Sequence, residues 1–151
     1  ATATAPSAAM ANEATAAAWA VLCSQLSAHA DDMSELRVVI IKLRELVERY
    51  APMLFGSDDW SYCRSVCYEL LLLCNSKQLP VRGQAGALLY ALMRANWRHT
   101  GARNFHRTRM QLLIAVSKLT TGALLVNYAR IVDALAAVVQ CALIEYPPRG
   151  A

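Results

Sequence analysis

Acidic residues are missing from a long stretch of this sequence. No Asp or Glu lies between Leu70 and Val132, and residues 70–151 carry ten basic and two acidic residues, a net of +8. Residues 1–69 instead carry five basic and nine acidic residues, a net of −4. Without carboxylates, acid–base catalysis in the second half lacks its usual groups. Its positive charge suits an acidic protein surface, an anionic membrane or phosphate.

Long apolar runs and glycine-rich phosphate loops are also absent. The most strongly apolar run, Leu70 to Cys74, is far shorter than the roughly 18 residues that a membrane span needs. No P-loop or GxGxxG motif occurs, and the first residues lack the basic start and apolar centre of a secretory signal. The sequence therefore predicts no membrane span, no secretory signal and no cofactor.

Cysteine spacing of the kind that builds disulfide frameworks or zinc sites is missing as well. The five cysteines are odd in number, and their spacing fits no disulfide framework. Cys63 and Cys67 stand one helical turn apart, with His99 and His106 downstream, but structural zinc sites usually take their cysteines from a tight turn. This pattern favours reduced, buried thiols in a cytosolic protein. No serine has a glycine-rich elbow nearby, so no nucleophilic site is predicted.

Apolar residues recur with a period near 3.6, and strand-like alternation is absent, which predicts an all-α fold. Six helices are expected: one over about Ala8 to Ala30, and the others after "DDMSE", after "GSDD", from Pro80, after "RHTGAR" and after "TTG". Asp32 or Ser34 is expected to cap the second helix, and Pro52 to end it soon after Tyr50. Residues 1–7 are expected to be a disordered start, 8–146 a single helical-repeat segment and 147–151 a tail.

Each expected helix has an apolar stripe that predicts its buried face. The residues of these stripes are, in chain order, Trp19, Leu22, Cys23 and Leu26; Leu36, Val39, Ile40, Leu43, Val47 and Tyr50; Cys63, Val66, Cys67, Leu70 and Cys74; Leu88, Leu89, Leu92 and Met93; Phe105, Leu112, Leu113, Val116 and Leu119; and Leu125, Tyr128, Ile131, Val132, Leu135, Val138, Val139 and Ala142. Gly83 and Gly86 weaken their helix locally but let another helix approach closely.

The helices form three pairs, which begin near residues 8, 58 and 104. This spacing resembles the period of about 40 to 47 residues in armadillo and HEAT repeats, although an ordinary six-helix bundle gives similar numbers. The chain is 56% hydrophobic and only 17% charged. Such a composition favours a slice of a larger helical stack, whose neighbours cover its apolar faces.

Residues 94–109, called the basic turn below, contain two histidines and five arginines: Arg94, Arg98, Arg103, Arg107 and Arg109. These arginines are candidates for binding an anion or an acidic partner. Alternatively, Arg94 and Arg107 hold the turn through carboxylates of the neighbouring repeat or through carbonyls at helix ends. Trp97 and Phe105 could stack bases, but their helical register favours packing, and no recognition helix follows. The sequence therefore does not favour nucleic acid.

The stretch "LLYALMRANW" followed by "TGARNFHRTRMQLLIAVSKL" resembles a helical segment of DOCK-family (dedicator of cytokinesis) proteins, closest to the branch that includes the zizimins. The preceding "CYELLLLCNSKQLPVRGQAGA" is also similar. The resemblance gives a structural role to six motif residues, which are Tyr90, Met93, Asn96, Trp97, Phe105 and Thr108. Family members often have Phe and an acid where this chain has Trp97, Arg98 and His99, so the basic turn is more basic here.

The resemblance implies that a parent protein is a guanine nucleotide exchange factor for Rho-family GTPases such as Rac and Cdc42. This chain would be its non-catalytic, armadillo-like scaffold segment, ahead of the exchange region. The family's GTPase-binding lobes and nucleotide-sensor loop have no match here, so no catalytic residue and no cofactor are assigned. The implied partners are neighbouring domains of the same chain and the GTPase through the parent protein, with self-association left open.

The resemblance also implies a cytoplasmic protein that contacts membranes peripherally, if at all. A second hypothesis keeps the chain free-standing. It would then be a helical adapter that binds an acidic protein or an anionic membrane through its basic second half.

Overall fold

A computed structural model describes residues 8–56, 61–122, 126–148 and 150, with the backbone alone at 8–12, 56, 61 and 102–105. These residues form helices and no strand, which confirms the all-α prediction. The described helices are α1 (Ala8–Ala28), α2 (Met33–Arg49), α3 (Ala51–Gly56), α4 (Ser61–Cys74), α5 (Leu79–Thr100), α6 (Ala102–Thr121) and α7 (Tyr128–Glu145). The expected disordered start at residues 1–7 lies outside the described residues.

The helices stack in two layers. α1, α4 and α6 pack side by side in one layer, and α2, α5 and α7 pack side by side in the other. Across the layers, α1 contacts α2, and α5 contacts both α4 and α6. Because the connections are short, consecutive helices run back against one another. This arrangement is that of an α-solenoid, in which each helix pair rests on the pair before it.

Six long helices were expected, and the short helix α3 is an addition to them. α2 ends at Arg49, close to the predicted stop, but the chain turns at once into α3, where Pro52 fits the first turn. Leu54 and Phe55 of α3 are fully buried against the core. Their stretch is too short to show a helical period, which is why its sequence gives no signal.

The predicted buried faces of the first four long helices are largely confirmed. Trp19 is 2% exposed and its indole donates a hydrogen bond of 3.1 Å to the Tyr62 carbonyl, which fixes α1 on α4. Asp32, one of the two cap candidates, accepts hydrogen bonds from the amides of Ser34 and Glu35 at the start of α2. The side chain of Tyr50 is half-buried, because Tyr50 is the residue that ends α2.

The predicted buried faces of α6 and α7 are partly wrong. On α6, Leu113 and Val116 are exposed, whereas Thr108 and Gln111 are buried. The polar pair lies inside because each side chain is hydrogen-bonded there: Gln111 accepts a bond of 3.0 Å from Arg64 on α4. On α7, four residues of the predicted stripe are exposed: Tyr128, Val132, Leu135 and Val139. The predicted position of Phe105 concerns a side chain outside the described part, and Leu125 lies outside the described residues.

Candidate functional site

The basic turn begins on the last two turns of α5, crosses Gly101 and continues into α6. Gly101 has a φ of 62°, a left-handed conformation that glycine adopts without strain, and its amide donates to the Trp97 carbonyl at 2.8 Å. This is the structural reason for the "TG" of the motif. Arg107 and Arg109 are exposed on α6, and the side chain of Arg103 lies outside the described part of the chain.

Two arginines of the basic turn converge on a single carboxylate of α7. Arg94 Nε lies 2.7 Å from Glu145 Oε1 as an ion pair, without the alignment of a hydrogen bond. Arg98 donates to the same oxygen at 3.1 Å, and the hydroxyl of Tyr90 donates to Oε2 at 2.5 Å. Tyr90, Arg94 and Arg98 are four residues apart and therefore share one face of α5. We call these four residues the Glu145 cluster.

The Glu145 cluster shifts the proton affinity of its own members. The hydrogen bond from Tyr90, together with the charges of Arg94 and Arg98, holds the pKa of Glu145 below its usual value. The same hydrogen bond raises the pKa of Tyr90 to about 12, because ionised Tyr90 would face the Glu145 carboxylate. Glu145 is therefore an ionised carboxylate over the physiological range, and Tyr90 is a neutral donor.

A second pair of contacts fixes the other end of α7. Arg82 on α5 lies 3.3 Å from Asp133 and also donates to the Ser76 carbonyl at 3.0 Å. The Asn127 amide, at the start of α7, donates to Asn75 Oδ1 at 2.8 Å. Asp133 and Glu145 are the two acidic residues of the second half of the chain. Both hold α7 on α5, and their scarcity amid ten basic residues is the signal that could have identified them as docking residues.

Asn96 and Thr108, both without exposed surface, join α5 to α6 beneath the basic turn. The Asn96 amide donates to the Thr108 hydroxyl, and the Thr100 hydroxyl donates to Asn96 Oδ1 at 2.8 Å. Met93 is half-buried against the core. Trp97 is 52% exposed, so it is not the core anchor that its helical register predicts.

An open groove runs between α5 and α7 beside the Glu145 cluster, with a volume of about 420 Å³. It is called the α5–α7 groove below, and its surface is mainly carbon. Arg94 and Arg98 border it, and its other lining residues are Tyr90, Met93, Trp97, Val138, Ala142 and Tyr146. Towards α2 and α3, Arg94 and Arg98 also border an opening of about 510 Å³ that includes Glu48 and His99. The exposed side of the basic turn is thus concave on both flanks of α5.

The cysteines behave as core residues in the described structure. All five are free thiols, and four of them are buried. Burial raises the pKa of Cys23 and of Cys74 to about 12. The sulfur atoms of Cys63 and Cys67 lie 4.0 Å apart, and the hydrogen bond between them lowers the pKa of Cys63 while it raises that of Cys67.

Within the described part of the chain, no three His, Cys, Asp or Glu side chains come together in a way that could hold a metal ion. Likewise, no helix in that part is long and apolar enough to cross a membrane.

The chain is similar to part of several larger proteins. It is 37% identical to dedicator of cytokinesis protein 9 of Mus musculus over 117 residues, which are 78% of this chain and 6% of that protein. It is 36% identical to the Rattus norvegicus protein 9 over 78% of this chain and 16% of the relative. It is 36% identical to protein 11 of Danio rerio over 66% of this chain and 5% of the relative. These relatives agree with the zizimin-like branch of the resemblance. No family model and no solved structure matches the chain.

Proposed function

Since the chain belongs to the dedicator of cytokinesis family, as a relative of one helical segment of these proteins, we propose that it is a non-catalytic scaffold segment of a DOCK-type guanine nucleotide exchange factor. In this role it positions the exchange region and offers surface to other proteins. The exchange factor would act on Rho-family GTPases, Rac or Cdc42, through parts of the polypeptide outside this chain.

The observation that carries the scaffold role is the second apolar face of α7. One face packs on α5 through Ile131, Ala134 and Val138. The other face is exposed although it is apolar, and its residues are Tyr128, Val132, Leu135, Val139 and Leu143. They lie three or four residues apart, as in a seam that packs against a further helix. A solenoid segment within a longer stack has such a face at its end.

The alternative of a free-standing basic adapter receives less support. Arg82, Arg94 and Arg98 are paired with the two acids of α7. Part of the positive charge that motivated this alternative is therefore used inside the chain. The remaining basic residues of α6 stay candidates for anionic partners.

The test compares the parent polypeptide with and without damage to the exposed face. Release of fluorescent GDP from Rac and Cdc42 is measured for the intact parent, for Val132→Glu with Val139→Glu, and for the control Leu79→Glu, which is 65% exposed at the start of α5. The intact parent and the control are expected to accelerate release, and the α7 variant to do so less. The chain on its own is expected to leave the release rate unchanged.

Three results would contradict the proposal. The exchange role fails if the intact parent releases nucleotide from no Rho-family GTPase. The non-catalytic role fails if the isolated chain accelerates release. The scaffold role fails if the α7 variant and the control are equally active.

A further inference from the structure

The α5–α7 groove combines the residue types that dominate binding energy at protein interfaces. Trp97 and Tyr146 are 52% and 64% exposed, and Arg98 retains 59% of its side-chain exposure despite its ion pair. Tryptophan, tyrosine and arginine are the residues most enriched at such binding hot spots. On α5 the large apolar residues Leu88, Leu89 and Leu92 lie in the core. The exposure of Trp97 in an open, concave place therefore suggests a surface for recognition.

The charge beside the groove is unbalanced. Arg94 and Arg98 share Oε1 of Glu145, while Oε2 of that carboxylate accepts from Tyr90. Two guanidinium groups therefore stand against one carboxylate, which leaves one positive charge next to a mainly carbon surface. The planar guanidinium of Arg98 is well suited to a second carboxylate, since it has several donors in a fixed fork.

These features distinguish between kinds of ligand. A phosphate-rich polymer would bring dense negative charge close to the Glu145 carboxylate, and two arginines alone offer it a small electrostatic gain. A membrane surface is flat on this scale, whereas the groove is a concave space of about 420 Å³. An apolar side chain fills such a space, and a carboxylate one helical turn away from it reaches Arg98.

We propose that the α5–α7 groove binds a short segment of another protein that presents an apolar side chain next to a carboxylate. The apolar side chain lies against Met93, Val138 and Ala142, with Trp97 and Tyr146 beside it, and the carboxylate pairs with Arg98. This site is separate from the exposed outer face of α7 and does not depend on the exchange activity of a parent protein.

The probe is a synthetic amphipathic peptide of about 12 residues with leucines on one face and glutamates on the other. Its matched control carries lysines in place of the glutamates. Both are titrated into the isotope-labelled chain while the indole N–H signals are followed by nuclear magnetic resonance. The Trp19 indole is hydrogen-bonded to Tyr62 in the core and is the internal reference. The Trp97 signal is identified by its loss in Trp97→Phe.

The glutamate peptide is expected to shift the Trp97 signal saturably, to leave the Trp19 signal in place, and to bind more weakly as salt is added. Arg98→Glu should weaken this binding about fivefold and strengthen that of the lysine peptide. Arg109→Glu, an exposed arginine on α6, should change neither. Tyr146→Ala, at a largely exposed position, should also weaken binding, while helical circular dichroism checks that the variant remains folded.

Several outcomes would overturn the proposal. Equal binding of both peptides, or unchanged binding by Arg98→Glu in a folded chain, would remove the carboxylate contact. A Trp97 signal that moves with anionic phosphatidylserine vesicles and not with the peptide would assign the groove to lipid. A signal that moves with protein concentration alone would assign it to a second copy of this chain.

Discussion

The side-chain amide of Asn96 donates a hydrogen bond to the hydroxyl of Thr108 across the α5–α6 corner, and neither side chain is exposed. Thr100 completes the group by donating to Asn96 Oδ1. A buried polar group that keeps its partner adds little net stability, but one that loses its partner is strongly unfavourable. Asn96 and Thr108 therefore fix the angle at which α6 leaves α5.

Replacing Asn96 by alanine should destabilise the chain by about 1–3 kcal/mol, because Thr108 then remains buried without this donor. Urea unfolding followed by helical circular dichroism measures the change. Thr108→Val should destabilise the chain by a similar amount. The double variant should be destabilised by less than the sum of the two single variants. Thr121→Val, at an exposed helix end, is the control and should stay within about 0.5 kcal/mol. A change this small for Asn96→Ala as well would contradict the role given to the pair.

Gly86 and Gly83 provide a matched pair of substitutions on α5. A Cβ at Gly86 would meet the Ala134 carbonyl oxygen at a distance that Cβ atoms do not adopt, and would lie 3.1 Å from the Ala137 Cβ. Gly86→Ala should therefore force α5 and α7 apart and destabilise the chain by about 1–3 kcal/mol. A Cβ at Gly83 meets nothing within 4 Å. Gly83→Ala should stabilise the chain by about 0.5–1 kcal/mol through helix propensity. Equal effects in thermal unfolding would refute this packing argument.

The Glu145 cluster predicts a loss of stability in acid. The folded-state pKa of Glu145 is lowered, so the unfolded chain binds its proton more readily than the folded chain does. The stabilisation is therefore complete above the unfolded pKa and disappears as pH falls through the lower, folded pKa. Melting temperatures from about pH 7 to about pH 3 compare the wild type with Glu145→Gln. The wild type should be more stable at neutral pH, and the difference should shrink in acid.

The acid prediction has a control at the other end of α7. Asp133→Asn removes the carboxylate that pairs with Arg82, and its melting temperature is measured over the same pH range. Glu145 still titrates in that variant, so the acid-dependent difference should remain. A pH profile of Glu145→Gln that runs parallel to that of the wild type would show that Glu145 is not the titrating group.

Most of the fold was predictable because the large apolar residues of α1, α2, α4 and α5 recur every three or four positions along one face of each helix. In these helices one apolar face meets the core, as at Leu43 and Leu70, which have no exposed surface. The helical period does not identify the buried face of α7, because both of its faces are apolar and only the packing partner decides which one is buried. The helical period also misidentifies part of the buried face of α6. There Thr108 is buried because a hydrogen-bond partner on another helix compensates its polarity.

The candidate site was only partly predictable for a related reason. The sequence shows that Arg94 and Arg98 share a helical face, and pairing of Arg94 with a carboxylate of a neighbouring repeat was one of the alternatives. It does not show that the carboxylate is Glu145, which lies 47 residues beyond Arg98. Such long-range pairs depend on how α7 stacks on α5, which local pattern does not encode. Binding of an external anion or partner by the basic turn stays a prediction.

The thiols should differ sharply in reactivity. Cys23 and Cys74 have pKa values raised to about 12 by burial, so they carry almost no reactive thiolate near neutral pH. Cys141 is the one half-buried cysteine of the five. Reaction with Ellman's reagent at about pH 8 should give one fast thiol in the native chain and five in denaturant. Cys141→Ser should abolish the fast phase. Fast reaction of several thiols in that variant would mean that the core opens readily.

The exposed face of α7 predicts that apolar residues there can be replaced without loss of stability. Val132 and Val139 are 65% and 55% exposed, whereas Ala134 on the opposite face is 1% exposed. Val132→Glu with Val139→Glu should change the free energy of unfolding by no more than about 0.5 kcal/mol for each site. The variant should also bind less of a dye that recognises exposed apolar surface, and its solutions should scatter less light. Ala134→Glu should unfold α7, because it buries an unpaired charge. If the valine variants unfolded the chain instead, this face would belong to the core and would not be free to receive a neighbouring helix.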